Sequence, residues 1–175
     1  SYMMSSLPAW DTVLQLLSLL GAACVMGPAT VAFIGAVRGI EIEGIGLLAV
    51  IGAAVNAVLS VAYMFAMEAS SATFQSFQYY FDPTLPDVAM RQSEQITGAI
   101  LAGEHAVAFW LGNVAIGCAV PAVLAALVMT GKIPAEKALA VAVVALVCAV
   151  IGTIVWRVLL YEVAVNALIQ FQWAL

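Results

Sequence analysis

Four long apolar runs, separated by two short polar connections and one long one, organise this chain. The runs lie near residues 12–37, 45–67, 105–130 and 138–161, and each exceeds the roughly 20 residues that a helix needs to cross the hydrocarbon core of a bilayer. The first is bounded by Asp11 and Arg38, with no charge between them. Gly39-Ile40-Glu41-Ile42-Glu43-Gly44 is short enough to return the second run antiparallel beside the first, and Gly131 to Lys137 does the same for the fourth. Pro28 and Pro121 are expected to kink runs one and three, and the fourth is expected to continue past Glu162 toward Gln170.

The long connection, residues 69–103, is polar, acidic and aromatic. It carries Phe74-Gln75-Ser76-Phe77-Gln78-Tyr79-Tyr80-Phe81 and then Asp82-Pro83-Thr84-Leu85-Pro86-Asp87, a grouping that suits a membrane interface or a docking surface. Between Asp87 and Ile100 there are helix formers and no proline, which predicts a short helix leading into the third run. The fold class that follows is all-α: one integral membrane bundle of four transmembrane helices, with no separate domain in the loop.

Composition strengthens this reading. Hydrophobic residues make up 65% of 175 positions and charged residues 9%, against roughly 45–50% and 25% in soluble domains. Mean hydropathy is +1.11. The net charge of −5 sits mostly between the second and third runs, where Glu68, Asp82, Asp87, Glu94 and Glu104 stand against Arg91, and an acidic balance argues against nucleic acid as a partner. Cys24, Cys118 and Cys148 lie far apart inside apolar runs without a C-x-x-C, so they read as packing residues and not as a thiol redox pair or a zinc site. The opening residues lack the basic region of a signal peptide, and a first residue other than Met fits either a tag remnant or a chain that begins inside a longer protein. Gly21, Gly27, Gly52, Ala53, Gly112, Gly117 and Gly152 are small residues of the kind that let helices approach in lipid.

Orientation comes from the short connections. Arg38, Lys132 and Lys137 share one side, which the positive-inside rule places in the cytoplasm. Both termini and the long loop then face outward, with Arg91 as that loop's one basic residue. On that outer side the ionisable residues near the span ends converge: Asp11, Glu68, Glu104, His105 and Arg157. Arg157 sits roughly 30 Å along the fourth run at 1.5 Å per residue, near the far boundary. There it can snorkel to headgroups or pair with Glu68 or Glu104. Tyr161 lies four residues on and shares its face. The expectation is that Arg157 and Tyr161 turn inward and build one polar pocket with Glu68, Glu104 or His105.

His105 is the chain's single histidine, which removes a two-histidine haem site. Beside Glu104 it can shuttle a proton or bond a quinone oxygen, or it can be an ordinary interfacial histidine. No P-loop, G-x-S-x-G or H-E-x-x-H occurs, so no catalytic residue and no metal ligand is expected. Asn56 and Asn113, within spans two and three, are expected to hydrogen-bond between helices.

Two segments carry a resemblance: Tyr2-Met3-Met4-Ser5-Ser6-Leu7-Pro8-Ala9-Trp10-Asp11-Thr12 before the first span, and Trp156-Arg157-Val158-Leu159-Leu160-Tyr161 near the end of the fourth. Both resemble the membrane anchor subunit of dimethyl sulfoxide reductases, the DmsC family. There a tyrosine-bearing segment with Pro-x-Trp precedes the fifth span and a Gly-Arg-x-x-x-Tyr pattern closes the eighth; here Trp156 stands in place of that glycine. The resemblance implies the C-terminal half of an eight-helix anchor in the bacterial cytoplasmic (inner) membrane. It implies a subunit with no redox cofactor of its own that binds menaquinol. Its electrons would pass to an iron–sulfur subunit and on to a molybdopterin catalytic subunit. Glu104, His105, Arg157, Tyr161 and Glu68 are the candidate quinol-binding or proton-handling residues. Two other classes stay open: a small oligomeric transporter or channel, which the prolines and intramembrane amides would suit, and a purely structural membrane subunit.

Overall fold

The structure, a computed structural model, describes residues 12–40, 42–69, 73–74 and 91–172. Helix α1 (Val13–Arg38) begins at Thr12, whose Oγ1 accepts the Leu14 N–H at 3.1 Å and so satisfies one of the free donors of the first turn. It ends at Gly39, whose φ of 65° belongs to the left-handed region that closes a helix best with glycine. There Gly39 N–H donates to Ala36 O and Ile40 N–H to Gly35 O. Gly131 (φ 69°) closes the third span in the same way, its N–H donating to Val128 O and that of Lys132 to Leu127 O. Both short connections therefore turn on a glycine for the same backbone reason.

Helix α2 (Ile45–Ala69) returns beside α1. A two-residue antiparallel pairing joins β1 (Thr73–Phe74) to β2 (Arg91–Gln92), and α3 (Ser93–Leu101) follows as the expected short helix. The third span is not a uniform α-helix. After Ala106 and Val107 it winds as a π-helix over Ala108–Ala119, then becomes α4 (Val120–Met129). The change falls at Pro121, which has no N–H to offer an α-helical bond to Gly117 O, while the Val120 N–H reaches back to Ala115 O. A 3₁₀ turn (Ala135–Lys137) leads into α5 (Ala138–Gln172), which runs beyond Glu162 as the pattern predicts.

The spans form a ring in which α1 neighbours α2 and α5, and the third span neighbours α2 and α5. Four of these helices are long and apolar enough to cross a membrane: Val13–Arg38, Ile45–Ala69, Ala108–Met129 and Ala138–Tyr161. Most of their large apolar side chains point away from the bundle, the arrangement lipid requires and water forbids. The protein is a multi-pass membrane protein built on a helical bundle.

Close approach is made where the helices carry no side chain. A Cβ on Gly152 would overlap Gly117 Cα, and one on Gly52 would overlap Cys24 O. Pro28 explains the second contact: it lies inside α1, has no N–H, and leaves the carbonyl of Cys24, four residues earlier, without its helical donor. The backbone of Gly52 covers that carbonyl.

Candidate functional site

At the end of the bundle where α1 starts, α2 ends and Arg157 lies, here called the loop end, eight side chains form one cluster. Its centre is aromatic: Trp156, 1% exposed, meets Tyr63 edge-on with ring centroids 5.7 Å apart and Phe109 at 6.0 Å. Leu14, in the first turn of α1, packs against the same cluster. Across from it, Trp110 N–H donates to Leu101 O at 2.9 Å and ties the end of α3 to the third span.

The expected polar pocket is corrected by this packing. On α5 the inward positions are Ala149, Gly152, Trp156, Leu159 and Leu160, the three-and-four spacing of one helix face. Arg157 and Tyr161 stand one residue round from that face. Arg157 is half-buried and Tyr161 is 52% exposed, so Tyr161 does not turn inward. Arg157 makes no ion pair with a described carboxylate, Glu68 and Glu104 included. Glu68 is half-buried at the end of α2.

Glu104 and His105 are brought together. His105 Nε2 lies 3.5 Å from Glu104 Oε1, with the two side chains 30% and 78% exposed. Both sit in the turn between α3 and the third span, where His105 N–H donates to Ala99 O and His105 O accepts from Phe109 N–H. The pair is thus fixed through the backbone of the histidine, and its carboxylate is open to solvent. Asp11 and the aromatic stretch 75–81 lie outside the described residues, as does the side chain of Glu162.

The bundle interior holds polar groups that the sequence reading assigned only to helix contact. Asn56 Nδ2 donates to Cys118 Sγ at 3.3 Å, an interhelical bond as expected. Asn113 departs from expectation: its side chain is 0% exposed, and neither its Oδ1 nor its Nδ2 has a partner. Gln15 Oε1, Asn56 Oδ1 and Trp156 Nε1 are likewise buried without a partner. The Ser18, Ser60 and Thr153 hydroxyls, by contrast, donate to carbonyls of their own helices. Asn113 faces inward, as an interhelical role requires, but the expected bond across helices is not made among the described residues.

No family model matches the chain, and neither a curated protein nor a solved structure matches it.

Proposed function

We propose that this protein is the membrane anchor subunit of a respiratory molybdenum reductase of the dimethyl sulfoxide reductase type, resident in a bacterial cytoplasmic membrane. It binds menaquinol at the loop end, which faces outward, and passes the electrons to an iron–sulfur partner that feeds a molybdopterin subunit. The observation that supports this reading is that the start of the first span, which follows one of the two segments that resemble such anchors, packs beside the other. Thr12, the last residue of the first, caps α1, and Leu14 packs on the cluster that buries Trp156, the first residue of the second.

The acid–base equipment lies at the same end. Oxidation of a quinol to a quinone releases two protons and two electrons, so the hydroxyls need an acceptor within hydrogen-bond reach. Glu104 and His105, 3.5 Å apart in an accessible turn, supply a carboxylate and an imidazole. Arg157 and Tyr161, on the outer side of α5, supply donors to a quinone oxygen or to a docked subunit.

Gentle detergent extraction followed by metal analysis tests the proposal. The chain should co-purify with iron and molybdenum, and the complex should oxidise a soluble menaquinol analogue. Glu104→Gln combined with His105→Ala should slow that oxidation while leaving the metal content unchanged. A chain purified without either metal, and without response to the quinol, refutes the assignment.

A further inference from the structure

The interior of the bundle is divided into two storeys. Toward the short connections it is packed with small apolar groups: Val25, Ala53, Cys118 and Ala149 form one core cluster, and the Gly117–Gly152 and Gly52–Cys24 backbone contacts close the space around it. Toward the loop end buried polar groups lie beside the aromatic cluster around Trp156. The antiparallel register shows how they stack. Gly21 packs on Asn56, and Asn56 bonds Cys118. About one turn further toward the loop end come Ser18, Ser60 and Asn113, and Gly112 packs on Val155, the neighbour of Trp156. Gln15 lies nearest the loop end, and Thr97 of α3, also fully buried, belongs to the same half.

From Gln15 to Asn56, this half of the interior presents acceptors and donors without partners among the described residues: Gln15 Oε1, Trp156 Nε1, both ends of the Asn113 amide, and Asn56 Oδ1. An unpaired amide is among the most costly groups to hold in hydrocarbon, and leucine would fill the same volume without that cost. Asn113 shares its face with Phe109 and Gly117, four residues before and after it, all of them buried. The amide is therefore aimed into the bundle and not toward lipid.

We infer that the loop-end half of the bundle interior is a water site: a short file of water molecules that enters at Gln15, bonds Trp156 and Asn113, and ends at Asn56. The class of guest follows from the lining. Amide, indole and hydroxyl groups are neutral, and no charged side chain is buried among the described residues, so an ion would lose its hydration without a counter-charge. A larger ligand has little room where Gly21 packs on Asn56 and Gly112 on Val155. Water, with two donors and two acceptors, satisfies the mixed set. The file is a half-channel, sealed below Asn56 by the apolar storey.

The test uses the whole chain in lipid nanodiscs, uniformly labelled with ¹⁵N, without quinol or partner subunits, so that its outcome is independent of the reductase proposal. The Trp156 indole is assigned by Trp156→Phe, and its exchange in heavy water is compared with the backbone amides of Ala149 and Gly152 in the same helix. Water reaching the site predicts indole exchange at least about tenfold faster than those amides, which open only with the helix. Asn113→Leu should slow the indole by a similar factor. An indole proton as protected as the neighbouring amides in the unaltered chain overturns the inference, as does a folded Asn113→Leu protein with unchanged indole exchange.

Discussion

Gly27 and Gly52 look alike in the sequence, each a glycine in an apolar run, yet they do opposite things. A Cβ on Gly27 meets nothing within 4 Å, whereas one on Gly52 runs into the backbone of α1. Gly52→Ala should therefore force the α1–α2 pair apart and cost about 1–3 kcal/mol, the usual range for overpacking. Gly27→Ala should be neutral or gain a few tenths of a kcal/mol from helix propensity. Unfolding of the purified variants in mixed micelles, monitored by tryptophan fluorescence, reads the difference. Equal stabilities would mean that the close α1–α2 contact does not form. The sequence could name the small residues but not sort them, because a helix that is apolar all round carries no record of which face meets a neighbour. The same blindness misplaced Tyr161: inward and outward positions on α5 differ by one residue, and Leu160 takes the inward one.

Among the elements, the four spans were legible almost to the residue, since length and the absence of charge define them without reference to packing. The expected 12–37 and 45–67 became Val13–Arg38 and Ile45–Ala69. What hydropathy does not encode is the winding of the third span. Pro121 was read as a kink, and what the structure shows at it is a change of helix type in the turns before it, where the lost donor favours bonds one residue longer. Pro121→Ala restores that donor. It should let the π-helical stretch shorten, so that the amides from Ala115 to Gly117 exchange more slowly with solvent; unchanged exchange would show that Asn113 and its neighbours, not the proline, set the winding. The start of α1 makes a second prediction at this scale. Thr12→Ala removes the acceptor for Leu14 N–H and should cost about 1 kcal/mol, with Thr12→Ser recovering most of it. A Thr12→Ser protein no more stable than Thr12→Ala would remove the cap from the account.

For the molecule as a whole, the two ends of the bundle differ in chemistry, and that difference sets how it sits in a membrane. Arg38, Lys132 and Lys137 lie at the end with the two short connections, while Arg91 is the one basic residue of the long loop. Basic residues in short loops hold their side in the cytoplasm because they resist translocation, and acidic residues count for little. Glu41, Glu43 and Glu136 therefore do not cancel the bias. Helix α5 adds a geometric argument. It continues from Tyr161 to Gln172, roughly 16 Å at 1.5 Å per residue, so it extends past the hydrocarbon at the loop end. A membrane-embedded bundle with one end drawn out in this way suits a side where soluble subunits dock. Single cysteines at Glu43 and at Ser76, in a background where Cys24, Cys118 and Cys148 are replaced by alanine, decide the orientation. A membrane-impermeant maleimide added to intact cells should label the Ser76 position and leave the Glu43 position unreacted until the membrane is opened. The opposite pattern turns the bundle over. It would move Glu104, His105 and Arg157 to the cytoplasmic side, and any subunits docking on them would have to be cytoplasmic.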